Sequence, residues 1–186
     1  MNPIRNKKDL SEAVNDIRNF AYKYLEKYSP SRQQLKIYLF KKLVKSSQNS
    51  FNKKEILDLI DTVILSLMEQ NFINDKHYSD AKSKVFLRRG YSLNKIRYSL
   101  IKKGISEKYI KNSISNIKKN ETDPDFFSAI KICKKRRLGP CRPDGNRPLY
   151  YKKDISVLAR LGFSYDISKK ILDLPKEEFK KFTKMI

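Results

Sequence analysis

The feature that most constrains the fold is a residue pattern that recurs about every 60 residues. One set recurs 61 residues later, where Ile96, Leu100 and Lys103 match Leu35, Leu39 and Lys42. A second set recurs 58 residues later, where Leu158, Gly162, Phe163 and Ser164 match Leu100, Gly104, Ile105 and Ser106. This spacing exceeds that of the common short helical repeats, but it accommodates three helices. We therefore expect an all-α fold of tandem three-helix repeats, stacked into an elongated, curved body.

The segment 74–106 contains the clearest copy of this unit. Apolar residues share one face of each of the two helices in this segment: Tyr78, Ala81 and Val85 in the first, and Leu93, Ile96 and Leu100 in the second. A third helix, at 107–118, completes the unit and carries Ile110, Ile114 and Ile117 on one face. Ser92 and Ser106 precede helices and are predicted to cap them. Gly90 forms the first turn, and Gly104 ends the second helix in a left-handed conformation.

The predicted repeats span 9–71, 72–120 and 121–186. In the first repeat the inward faces are Val14, Ile17, Ala21 and Tyr24, then Leu35, Leu39 and Leu43, then Ile56, Ile60, Val63 and Leu67. Pro30 separates the first two helices. A polar turn at 46–50 precedes the third helix, which Asn52 and Glu55 should cap together.

The third repeat begins at Asp123, with Pro124 in the first helical position. Its first helix carries Phe127 and Ile130. A loop at 140–149 follows, because this stretch contains three prolines and a glycine. Later helices are expected near 152–161 and 165–174, and a short C-terminal helix carries Phe179 and Phe182.

Charge points to an anionic partner. The chain has 42 Lys and Arg against 20 Asp and Glu, a formal net charge of +22. These cations are interleaved with apolar residues, which favours a folded basic surface over a disordered arm. Nucleic acid, an acidic protein and anionic lipid would all fit such an excess. The N-terminus lacks the apolar core of a secretory signal, and no apolar run reaches the ~18 residues of a membrane span. Two cysteines suit a reducing cytoplasm.

Basic pairs at the predicted helix ends are the candidate binding residues. Cations at these positions also offset helix dipoles by about 0.3–1 kcal/mol each, which explains their placement without a partner. It does not explain the overall excess. The candidates for partner binding are Arg88, Arg89, Lys95, Lys102, Lys103, Arg136, Arg137, Lys152, Lys153 and Arg160.

Aromatic residues between these cations allow two interpretations. Tyrosines beside cations can stack on the bases of a single strand, but at helical spacing they more often form the rim of a core. We favour the core interpretation for the following residues: Tyr91, Tyr98, Tyr109, Tyr150 and Tyr151.

No set of residues predicts catalysis, a metal site or a cofactor. His77 is the only histidine, and Cys133 and Cys141 do not have metal-ligand spacing. With five glycines in all, a phosphate-binding loop is not expected. We predict surface or capping placement for His77 and a packed Cys133.

Three segments, taken in order, resemble one known family. Residues 72–78, with Arg88-Arg89-Gly90-Tyr91-Ser92 and Lys102-Lys103-Gly104-Ile105, are similar to the central signature of the RecX regulatory proteins. Residues 22–39 are similar to the family's N-terminal unit, and residues 158–164 to its C-terminal unit. The central segment has Asn74-Asp75 where two aspartates are usual, and the loop at 140–149 lengthens the third unit.

The resemblance implies a bacterial, cytoplasmic protein of helical repeats that binds the RecA recombinase filament. It would restrain filament growth, ATP hydrolysis and strand exchange without a catalytic site of its own. RecA, the DNA inside its filament, or both would be the partner, and we expect a monomer that does not bind membranes. A stand-alone nucleic-acid-binding module with helix-turn-helix-like units is the alternative.

Overall fold

The computed structural model describes residues 7–46 and 52–186, and within them the chain is helical, with no strand. The α-helices are α1 (Lys7–Leu25), α2 (Arg32–Ser46), α3 (Lys53–Glu69), α4 (Asp75–Arg88), α5 (Leu93–Ile101), α6 (Glu107–Asn120), α7 (Pro124–Arg136), α8 (Arg147–Arg160), α9 (Tyr165–Leu172) and α10 (Lys176–Lys184). The prediction of an all-α fold is confirmed. Most of the polar turn predicted at 46–50 lies outside the described residues.

The chain divides into two compact units. The first contains the residues up to Tyr78 together with Lys103–Ile105, and the second contains Ser79–Lys102 and Ser106–Ile186. In the first unit, α1, α2 and α3 pack around one core, lined by Ile17, Ala21, Leu35, Leu39, Ile60, Val63, Ile64 and Leu67. In the second, α7–α10 enclose a core lined by Phe126, Ile130, Cys133, Leu158, Phe163 and Ile171. The boundaries of the three repeats stay a prediction.

Helix caps follow the sequence closely, with one exception. The side chain of Asn52 accepts from the Glu55 amide at 2.9 Å, while Glu55 accepts from the Asn52 amide at 3.1 Å, which completes the expected capping box. Ser92 caps α5 by accepting from the Lys95 amide. Ser106 lies at the start of α6 but makes no capping hydrogen bond through its side chain. For that hydroxyl the prediction is wrong.

The inward face of α4 also differs from the prediction. Ala81 is exposed, whereas Ser79 and Ser83 are buried. The hydroxyls of Ser79 and Ser113 are 2.8 Å apart, and Ser83 donates to a main-chain carbonyl of its own helix. Tyr78 is buried and Val85 half-buried, as predicted, so the prediction is wrong for Ala81. A serine tolerates burial when its hydroxyl is satisfied, which a periodicity based on apolar residues alone does not take into account.

The proline-rich segment is more ordered than a loop. It contains two short 3-10 turns, and α8 begins at Arg147 instead of near Lys152. The buried carboxylate of Asp154 receives two hydrogen bonds from Arg142, each 2.7 Å long, and one from the Gly139 amide at 2.9 Å. These bonds fix the segment to α8, and the Arg142 guanidinium lies 4.4 Å from the centre of the Tyr150 ring.

One arrangement of hydrogen bonds occurs twice, once in each unit. In the first interlock, formed by Ser31, Asp75 and Lys103-Gly104, the Ser31 hydroxyl donates to the Lys103 carbonyl at 2.6 Å. Ser31 also accepts from the Gln34 amide, and Asp75 accepts from the Arg32 amide at 2.8 Å. The start of α2 is thereby bonded to two distant segments of the chain.

The second interlock is formed by Ser92, Asp125 and Leu161-Gly162. Here the Ser92 hydroxyl donates to the Leu161 carbonyl at 2.8 Å, and Asp125 accepts from the Leu93 amide at 2.7 Å. In both interlocks the accepting carbonyl precedes a glycine with positive φ, +74° at Gly104 and +84° at Gly162. The spacings of 61 between the serines and 58 between the glycines match those of the sequence pattern.

Candidate functional site

A groove lies beside the second interlock, where α5 meets the end of α8. It has a volume of about 350 Å³. We call it the basic groove and define it by Lys95, Arg97, Tyr98, Lys102 and Arg160, which line it together with small and uncharged residues. Four of these five side chains are cationic, and no carboxylate of the described residues lines it.

Helical spacing places three of these side chains in a row. Lys95, Tyr98 and Lys102 are separated by three and four residues, so they share one face of α5 and its C-terminal end. The opposite face carries Ile96 and Leu100, which are fully buried. Because this apolar face packs in the core, Lys95, Tyr98 and Lys102 lie on the side of α5 that faces solvent.

The second interlock brings Arg160 to the same groove. The Ser92–Leu161 bond and a weaker bond of 3.4 Å from the Asn94 side chain to the Gly162 carbonyl hold the end of α8 against α5. A Cβ atom at Gly162 would lie 2.6 Å from the Ser92 hydroxyl oxygen and 3.1 Å from the Lys95 amide nitrogen. Glycine is therefore needed for this close approach.

Among the described residues, three of the four cations have no acidic partner. Arg97 is paired with Glu107, with 3.0 Å between the nearest nitrogen and oxygen. Within 7–46 and 52–186, no salt bridge involves Lys95, Lys102 or Arg160. The Arg160 Nε atom donates to the Ser156 carbonyl at 3.3 Å, which steadies its guanidinium while the charge stays exposed. The groove therefore presents uncompensated positive charge that an anion can approach.

Comparison with known proteins gives a consistent family. No protein-family model matches the chain. A protein named Regulatory protein RecX from Myxococcus xanthus is 28% identical over 160 residues, covering 84% of both chains. One of the same name from Clostridium perfringens strain SM101 is 30% identical over 115 residues, which cover 62% of this chain and 52% of that one.

Solved structures agree with these relatives. A crystal structure of regulatory protein RecX superposes with a TM-score of 0.66 at 19% identity, covering 89% of this chain and 74% of that one. RecX from Lactobacillus salivarius superposes with a TM-score of 0.62 at 18% identity, covering 95% and 99%. The named relatives and the solved structures support a RecX family protein. They agree with the resemblance seen in the sequence, and the structural neighbours share its all-helical fold.

Three of the ten predicted binding residues meet at one place. Lys95, Lys102 and Arg160 line the basic groove. Arg88 lies at another pocket, of about 420 Å³, whose charged lining is mixed: Asp80, Lys84, Arg88 and Glu121. We call this the mixed-charge pocket.

The other six candidates line neither place. Arg89 is exposed, and Lys103 is half-buried, with its carbonyl used by the first interlock. The last four are exposed and lie at or just beyond the end of α7 and on α8: Arg136, Arg137, Lys152 and Lys153. Arg137 ends α7 with a φ of +54°. The role of each of these residues in binding stays a prediction.

Tyr98 and the two aspartates of the interlocks were missed by sequence reasoning. The Tyr98 side chain is 66% exposed, so the interpretation of this residue as part of the core rim is wrong. Its position three residues after Lys95 was the available signal. Tyr91 fits the core interpretation, because it is half-buried and stacks on Phe86 with 5.2 Å between the ring centres. The sequence pattern did not predict the bonds that Asp75 and Asp125 accept from amides of other helices.

Two other residues considered for chemistry in the sequence are His77 and Cys133. His77 is exposed, and its amide donates to the Asn74 side chain at the start of α4. Burial raises the pKa of the Cys133 thiol to about 12, so this thiol is protonated at neutral pH. The described part of the chain contains no cluster of three metal-ligating side chains and no helix long and apolar enough to cross a membrane.

Proposed function

We propose that this protein binds the RecA recombinase filament and limits its growth, ATP hydrolysis and strand exchange. The observation that carries the proposal is membership of a family whose relatives are named regulatory proteins, with one relative aligned over 84% of this chain. The basic groove supports it, because a filament assembled on DNA presents phosphates and acidic protein surface. The protein would act by binding and would need no catalytic residue, metal or cofactor.

The remaining features of the proposal follow from this partner. Because the filament assembles on DNA, we propose a cytoplasmic location. We further propose that the protein binds the filament as a monomer. We also propose that the three-helix repeats at 9–71, 72–120 and 121–186 are the structural units. The recurrence of the interlock supports the repeats, since both copies connect equivalent sequence positions.

The proposal is tested by adding the purified chain to RecA filaments on single-stranded DNA. We expect co-sedimentation with the filaments and slower ATP hydrolysis. Replacing Lys95, Lys102 and Arg160 by Glu should weaken both effects. A control with Lys53, Lys54 and Lys111 replaced by Glu makes the same change in net charge at exposed positions elsewhere. If the parent chain neither binds the filaments nor slows ATP hydrolysis, the proposed function is rejected.

A second candidate function is a nucleic-acid-binding module that works without RecA. The net charge of +22 favours it. It predicts saturable binding of duplex DNA at physiological salt in the absence of RecA. Binding that disappears on adding moderate salt would reject this candidate, because nonspecific phosphate contacts are strongly salt-dependent.

A further inference from the structure

We propose that the basic groove is a binding site for single-stranded nucleic acid, with Tyr98 stacked on a base and Lys95, Lys102 and Arg160 on the neighbouring phosphates. The inference deepens the proposed function by naming the part of a DNA-bearing filament that this groove would contact. The site can nevertheless be tested without RecA, so the two proposals can fail separately.

The spacing of the α5 side chains suits a strand. Lys95 and Lys102 are about 10 Å apart along the helix axis, because each residue adds 1.5 Å. Tyr98 lies between them on the same face. A base packed against the tyrosine ring would therefore have a cation on each side, where the phosphates of the same strand pass.

The exposed ring distinguishes a single strand from other anionic partners. Bases of a single strand have free π-faces, and their stacking on aromatic side chains contributes to sequence-tolerant binding. A duplex conceals these faces within its own stack. An acidic peptide would satisfy the cations but offers no general reason for a tyrosine that is 66% exposed between them. The combination of unpaired cations and an exposed ring therefore favours single-stranded nucleic acid.

Two other places in the molecule lack this combination. The mixed-charge pocket contains Asp80 and Glu121, which would repel phosphates. On α2, the position that corresponds to Tyr98 by the spacing of 61 is Ile37, and the position of Lys95 is Gln34. The mixed-charge pocket and the α2 counterpart therefore lack the combination of cations and exposed ring that the basic groove has.

The experiment measures binding of the full chain to a fluorescein-labelled oligothymidine by anisotropy, without RecA. Replacing Lys95, Lys102 and Arg160 by Gln should weaken binding and reduce the slope of log K against log salt by about 2, given ~0.7 per phosphate contact in single strands. The control variant Lys53→Gln/Lys54→Gln/Lys111→Gln removes the same charge and should change the slope far less.

The tyrosine is tested in the same assay. Tyr98→Ala should weaken binding by roughly tenfold or more, the loss of one base stack, whereas Tyr98→Phe keeps the ring and should bind like the parent. Tyr165→Ala is the matched control, because Tyr165 is 62% exposed on α9, away from the groove lining. An unlabelled duplex of the same length should compete poorly with the labelled strand.

Several results would overturn the inference. Equal losses in the groove and control charge variants would show a general effect of net charge. If Tyr98→Ala binds oligothymidine like the parent, Tyr98 does not stack on a base. If the groove charge variant loses binding to a polyglutamate peptide but keeps its binding to oligothymidine, the groove is assigned to an acidic protein. If oligothymidine binds as expected but the chain neither binds RecA filaments nor slows their ATP hydrolysis, this site stands and the proposed function fails.

Discussion

The two interlocks have the same hydrogen bonds but present different surfaces. Their serine hydroxyls donate over 2.6 and 2.8 Å, and their aspartates accept over 2.8 and 2.7 Å. Outside these bonds the helices they hold differ. On α2, Gln34 and the exposed Ile37 occupy the positions that correspond to Lys95 and Tyr98. The other two counterparts are alike: Lys36 pairs with Asp61 as Arg97 pairs with Glu107, and Lys41 and Lys102 are both exposed lysines.

This difference separates what the fold requires from what binding requires. The hydrogen-bonded positions are matched in both copies because they hold helix starts to distant carbonyls. The solvent-facing positions differ at two places, Gln34 against Lys95 and Ile37 against Tyr98, so of these two helices α5 is the one that places a tyrosine between two lysines. We infer that the interlock is a scaffold and that the variable face determines which partner binds. Variants that disrupt each interlock in turn test this division between scaffold and binding face.

The largest effect is expected at the two interlock glycines. Gly104→Ala and Gly162→Ala should each lower the free energy of unfolding by about 2–4 kcal/mol, combining left-handed strain with overpacking. An added Cβ would collide with the Gln33 side chain at Gly104 and with Ser92 and the Lys95 amide at Gly162. Urea unfolding followed by circular dichroism measures both changes.

Gly145→Ala is the control for these two variants. No atom lies within 4 Å of a Cβ at Gly145, and its φ is not positive, so the substitution should be nearly neutral. If either interlock variant is as stable as Gly145→Ala, close approach at that glycine is not required for folding.

A smaller effect is expected at the serines. Ser31→Ala and Ser92→Ala should each cost about 1–3 kcal/mol, because each removes a helix cap and leaves a distant carbonyl without its donor. Thermal unfolding of the two variants checks this. Ser106→Ala is the matched control, since Ser106 precedes a helix but makes no capping bond through its side chain.

The same pair of variants sharpens the division between scaffold and binding face. Ser92→Ala loosens the end of α8, which carries Arg160, and should weaken oligothymidine binding under conditions where the variant is folded. Ser31→Ala should leave that affinity unchanged, although its stability falls by a similar amount. Equal affinity losses in both variants would contradict a specific role of the second interlock in positioning the groove.

Much of this scaffold could be predicted from local sequence. A serine before an apolar periodic segment and a glycine after it act within a few residues, so the cap at Ser92 and the left-handed turn at Gly104 were assigned correctly. The capping box at Asn52 and Glu55 is equally local. Each depends on hydrogen bonds or dihedral angles within a few residues, which short patterns specify.

The long-range bonds could not be predicted in this way. The hydroxyl of Ser92 reaches a carbonyl 69 residues away, and the carboxylate of Asp125 reaches an amide 32 residues away. Either group could equally accept a hydrogen bond from an amide at the start of its own helix. Tyr98 was assigned to the core rim because periodicity cannot distinguish an exposed aromatic from a half-buried one. Recognising the groove required knowing which face of α5 the end of α8 covers.

The smallest effect concerns protonation in the second interlock. Burial raises the pKa of the Asp125 carboxyl above its ordinary 3.8, although the Leu93 amide bond opposes this shift. Because the folded state holds this proton more tightly, the contribution to stability is complete below pH 3.8 and is lost as the pH rises through the raised pKa. Asn at position 125 keeps an acceptor for Leu93 but does not titrate. The unfolding free energy of the parent relative to Asp125→Asn should therefore fall as the pH rises across this interval.

Urea titrations of the parent and Asp125→Asn at several pH values measure this difference. Asp58→Asn, at an exposed position on α3, reports what loss of one negative charge does to a chain of net charge +22. The difference between parent and Asp125→Asn should depend on pH more strongly than the difference between parent and Asp58→Asn. The reason is that Asp125, unlike Asp58, is half-buried and accepts a hydrogen bond from the start of another helix. A difference that rises with pH would mean that the charged carboxylate stabilises the interlock, and the bond from Leu93 would then outweigh the cost of burial.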